Sequence, residues 1–80
     1  MGGQSEAVRF AQRGEAIYRR KIRPVVEPQQ NGHVVAIELD SEAYVLGEDE
    51  LDAALKALER FPGKQFYFIR VGSPVMHKLR

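Results

Sequence analysis

Arg70 lies inside QFYFIRVGSPV, residues 65–75, the most apolar run of the chain. A guanidinium stays charged and presents a planar fork of donors, so in apolar company it must hold an anion or reach water. Buried without a partner it would be strongly destabilising. Strand alternation puts Arg70 on one face with Phe66 and Phe68, near the strand's end. Glu38, in HVVAIELD, is the attractive partner, across a neighbouring strand. The expected pair is structural: it would fix strand register while the arginine stem packs on Phe68. The sharper alternative is that Arg70 presents its fork to an anion or to a partner's carboxylate.

YRRKIRP is the second constellation. Arg19, Arg20, Lys21 and Arg23 lie on and after a last helical turn beside Tyr18, with Arg13 upstream. Such a cluster could contact a phosphate backbone. Cations at a helix C-terminus also complement the helix dipole. The chain as a whole is nearly neutral, with 12 basic and 11 acidic residues and a formal net charge of +1, whereas a strong nucleic-acid binder is usually basic overall. The charge is segregated: residues 1–23 are basic, 24–52 carry eight acids and no Lys or Arg, and the remainder is basic again. These blocks can complement one another, or those of a second copy.

Other chemistries find little support. There is no cysteine, hence no disulfide, thiolate metal site or cysteine nucleophile. His33 and His77 are far apart and lack a third metal ligand. EDELD lacks the alternating oxygen ligands and central glycine of a calcium loop. Ser5, Ser41 and Ser73 have no nucleophile-elbow context, and no glycine-rich loop joins a strand to a helix. The expectation is a protein that is not an enzyme and has no cofactor and no metal.

The elements that would position these residues follow from periodicity. A helix is expected over 5–23, with Ser5 as N-cap, a seam of Ala11, Gly14, Tyr18 and Ile22 with Phe10 and Ile17 beside it, and an end forced by Pro24. A connector with two prolines and an Asn-Gly turn follows. Strands are expected over 33–40 and 43–47, joined as a hairpin. The next helix, 49–61, has Asp49 as N-cap, acids in its first turn and an apolar stripe of Leu51, Ala54, Leu55, Leu58 and Phe61. Pro62-Gly63 ends it. The third strand covers 65–72, and 73–80 is a tail. Eighty residues make one domain with a marginal core.

The fold class is therefore α+β: an N-terminal helix, then a ββαβ core. The first strand is apolar on both faces, as a central strand should be, which favours a mostly antiparallel sheet of order 2-1-3 packed with two helices. The second apolar face needs the first helix or a second protomer, so a homodimer is expected. No apolar stretch approaches the ~20 residues of a membrane span, and MGGQSEAVRF does not read as a signal peptide. A bacterial-type cytoplasmic protein is the default.

NGHVVAIELDSEAYVLGEDELDAALKAL followed by FYFIRVG resembles small uncharacterised bacterial proteins of cyanobacterial type, in which GxxVAI, YxxG, DELxxA and RVG occur in that order. The resemblance covers about residues 16–80, implies a small ββαβ core and implies no activity. It places Arg70, Val71 and Gly72 on the RVG motif. A weaker similarity, to HicB-like antitoxin domains, implies a partner-binding role. The expected function is a non-enzymatic protein-interaction module, antitoxin-like, whose partner is a neighbouring gene's product. The alternative is a weak nucleic-acid binder using the basic end of the first helix.

Overall fold

In a computed structural model describing residues 6–72, the chain forms α1 (Glu6–Ile17), a π-helical turn (Tyr18–Ile22), α2 (Arg23–Val26), β1 (Val34–Glu38), β2 (Ala43–Gly47), α3 (Glu50–Arg60) and β3 (Phe66–Arg70). The α+β class is as the sequence implies. Ser5, Ser73, His77 and the tail lie outside the described residues.

The first helix does not stop at Arg23. A proline ring normally clashes with the carbonyl four residues back. Here the turn ahead of Pro24 is widened, with the Arg23 N–H donating to the Tyr18 carbonyl five residues back. The chain continues helically to Val26. The wider turn also shifts the phase of the buried stripe. Ile17 and Ile22, five residues apart, are 2% and 0% exposed, and Val26 follows them into the core.

The sheet order is β2-β1-β3, antiparallel throughout, as expected. β1 is buried along its whole length because helices cover both faces. On one face Val35, Ile37, Leu39, Ile69 and Val71 pack against Ile17, Tyr18, Ile22 and Val26 of the long helical arm. The first helix thus covers its own sheet, and the uncovered face that favoured a second protomer does not exist. Gly14 makes this contact close: a Cβ there would stand 2.3 Å from the Tyr67 ring. The Tyr67 hydroxyl donates to Glu15 Oε2 at 3.0 Å.

On the other face Val34, Ala36 and Val45 meet Ala53 and Ala57 of α3, with Phe61, Phe66 and Phe68 packed beside them. Asp49 caps α3 as expected, its Oδ1 accepting from the Asp52 N–H at 2.8 Å. The orientation of α3 departs from expectation. Its buried residues are Ala53 and Ala57, while Leu51, Leu55 and Leu58 are 68%, 58% and 53% exposed. The cause lies in Gly47, where a Cβ would come within 2.4 Å of the Ala53 nitrogen. The helix backbone rests almost directly on the end of β2, at a separation that admits alanine and excludes leucine.

Candidate functional site

Arg70 and Glu38 do not meet. The register sets Arg70 beside Val34 and Glu38 beside Phe66, at opposite ends of the β1–β3 pair. Antiparallel pairing requires this, because both residues lie near the C-terminal ends of their strands. Arg70 is exposed, and its guanidinium donates to the Gly32 carbonyl at 3.0 Å. The Gly32 N–H donates to the Val71 carbonyl and the Val71 N–H to the His33 carbonyl. Gly72, at φ +83°, lies against Asn31. The RVG stretch thus fastens the connector to the end of β3.

Glu38 is 3% exposed and serves the β1–β2 turn. It accepts from the Ser41 hydroxyl at 2.6 Å and from the N–H groups of Asp40 and Ser41 at 3.0 Å each. The Ser41 hydroxyl and these N–H groups hold its carboxyl below the usual range, against the opposing effect of burial.

The basic cluster is largely engaged within the fold. Arg20 and Lys21 reach Glu42 Oε1 at 3.4 and 3.1 Å, and Arg23 reaches Glu27 Oε1 at 3.3 Å. Arg13 donates to the Leu39 carbonyl at 3.1 Å. Arg19 is exposed. Glu27 also accepts from the buried Tyr18 hydroxyl at 2.6 Å, which lowers its own pKa. Burial, then this bond to a carboxylate, pushes the Tyr18 phenol up to about 12.

An open cleft of about 680 Å³ separates the start of α1 from the far end of the sheet. Its walls carry Arg9, Arg13 and Lys64 against Glu6, Glu38 and Asp40. Lys64 pairs with Asp40 at 3.2 Å, and Arg13 and Glu38 are committed as described. This wall chemistry is mixed in sign and offers no convergent cationic or acid–base set. Among the described residues, no group of three His, Asp or Glu side chains is placed to hold a metal ion.

The outer side of α3 is different in kind. Leu55 stands two residues from each buried alanine, hence on the opposite side of the helix, and Leu51 and Leu58 flank it at four- and three-residue steps. Lys56 reaches back to the Leu46 carbonyl of β2 at 3.4 Å. On the other flank Phe61 meets Phe66 of β3, ring centroids 6.2 Å apart. The sequence signal for this orientation of α3 was present: Ala53 and Ala57 at i, i+4 mark a close-approach face as clearly as the leucines mark an apolar one.

Comparison of the chain with protein-family models, with curated proteins and with solved structures finds no match. Among the described residues no helix is long and apolar enough to cross a membrane.

Proposed function

We propose that the chain is a non-enzymatic protein-interaction module of the bacterial cytoplasm that docks a cognate protein on the outer side of α3. In the antitoxin-like form of this reading, that protein is the product of a neighbouring gene. One observation carries it: alanines make the core contacts of α3 while Leu51, Leu55 and Leu58 remain more than half exposed. Leucines that contribute little to the fold, yet lie together on one helix side, suit a helix-in-groove or face-to-face contact. The engagement of Arg20, Lys21 and Arg23 by Glu42 and Glu27 reduces the cationic surface left for nucleic acid.

The test compares proteins retained from native lysate by the wild type and by Leu51→Glu/Leu55→Glu, after matching their circular dichroism. A specific protein held by the wild type and lost from the variant is the expected outcome. Identical captured sets would overturn the proposal.

A further inference from the structure

We infer that two copies of this chain join through the outer edge of β3, antiparallel about Phe68, to form a continuous six-stranded sheet. Among the described residues no strand pairs with that edge. The Val71 N–H donates to the carbonyl of His33, the residue just ahead of β1, at 2.8 Å. In an antiparallel ladder this direction alternates, so the backbone groups of Ile69 and Tyr67 also face β1. Those of Phe66, Phe68 and Arg70 therefore face outward.

These outward groups match themselves. With Phe68 opposite Phe68 of the second copy, Phe66 falls opposite Arg70, and Arg70 opposite Phe66. All three are hydrogen-bonding positions on both strands, so each pair can exchange two N–H···O bonds. The side chains agree with this register. Phe68 meets Phe68 on the α3 face, and each arginine stands across from a phenylalanine, with no like charges opposed. On the α1 face Tyr67 falls opposite Ile69. Phe66–Arg70 contains no proline or lysine to guard the edge, and its one charge, Arg70, is turned to the Gly32 carbonyl. The other edge strand, β2, is approached by Lys56 at the Leu46 carbonyl. Because α3 packs on β2 and β1, its leucines stay outside the proposed seam, and this pairing stands or falls independently of the α3 docking surface.

Sedimentation at tens of micromolar should give a dimer. Amide exchange at Phe66, Phe68 and Arg70 should be slow there and fast after dilution to submicromolar protein, with Ile69 little changed. Arg70→Pro removes an outward N–H without touching the ladder to β1, and should yield a folded monomer. In a chain with no cysteine, Phe68→Cys should cross-link on oxidation, since directly opposed hydrogen-bonded residues sit about 5.5 Å apart between Cα atoms. A wild-type monomer with concentration-independent exchange at Phe68 would overturn the inference while leaving the α3 surface to its own test. A dimer that survives Arg70→Pro and cross-links through Leu55→Cys instead would overturn it in favour of α3 pairing.

Discussion

The two faces of the central strand are covered in opposite ways. On one, the helical arm of residues 6–26 inserts Ile17, Tyr18, Ile22 and Val26 among Val35, Ile37, Ile69 and Val71. Large side chains interlock there, while the arm's Val8 and Val25 stay outside the seam. On the other, α3 meets Val34, Ala36 and Val45 through two alanines and keeps its leucines out. The difference shows that apolar content does not report where a helix faces the core. Backbone separation decides it, and here Gly47 sets that separation. One helix completes the fold; the other is held by the fold and presents a surface.

That contrast can be broken first at its strongest point. Ile37→Ala, in the interlocked face, should destabilise by about 2–5 kcal/mol, read by urea midpoints, and bring a small domain close to unfolding. A loss below ~1 kcal/mol would mean that this face is not closely packed. Gly14→Ala sharpens the comparison by sign. In an ordinary helix interior the change gains up to about 1 kcal/mol. Against the Tyr67 ring it should instead cost on the order of 1–3 kcal/mol.

The pH response should also divide between regions. Burial, then donation to Glu27 and Glu15 respectively, pushes Tyr18 and Tyr67 up to about 12. A folded-state pKa above the unfolded value near 10 means that their contribution is complete below about pH 10 and is lost as pH rises toward about 12. Tyr18→Phe should reduce this alkaline slope. Glu38 moves the other way: its folded pKa lies below the ordinary carboxyl value of 4.5, so its contribution is present above that value and lost as pH falls through the folded one. Glu38→Gln should reduce the acid slope, leaving the parts due to the similarly lowered Glu27, Glu42 and Asp52. Unchanged slopes in both variants would separate these groups from the stability they are assigned.

The smallest effects are as informative. A double-mutant cycle on Arg70→Met and Glu38→Gln should return coupling near zero, since the two sit at opposite ends of the strand pair. Leu51→Ala, measured at submicromolar protein, should change protomer stability by less than ~0.5 kcal/mol. A loss like that at Ile37 would make the α3 leucines core residues after all.

Much of this architecture is legible in the residues. The 2-1-3 order follows from a strand apolar on both sides, and the α3 boundaries follow from Asp49 and Pro62-Gly63. The face of each strand residue follows from alternation. Register was harder to read. The strands are apolar almost throughout, so no burial pattern penalises a slip strongly, and the connector, through Gly32, His33 and Val71, holds the end of β3 where the sequence suggests a charge pair. The helix past Pro24 was hidden because proline rules describe α geometry, and the chain answers with a wider turn. The side of α3 is not legible in the sequence because a leucine stripe is a louder signal than two alanines. Leu51, Leu55 and Leu58, exposed in the fold, therefore read in the sequence as core.

The contact between Gly14 and Tyr67 joins residues more than fifty positions apart, and it has a consequence for synthesis. α1 leaves the ribosome before the surface that receives it, which is completed by Tyr67, Ile69 and Val71 further along the chain. A helix of this length, interrupted by a wide turn and a proline, has little stability alone in water. α1 is thus made before the surface that secures it, and through that interval its apolar side is open to whatever in the cell attends nascent chains.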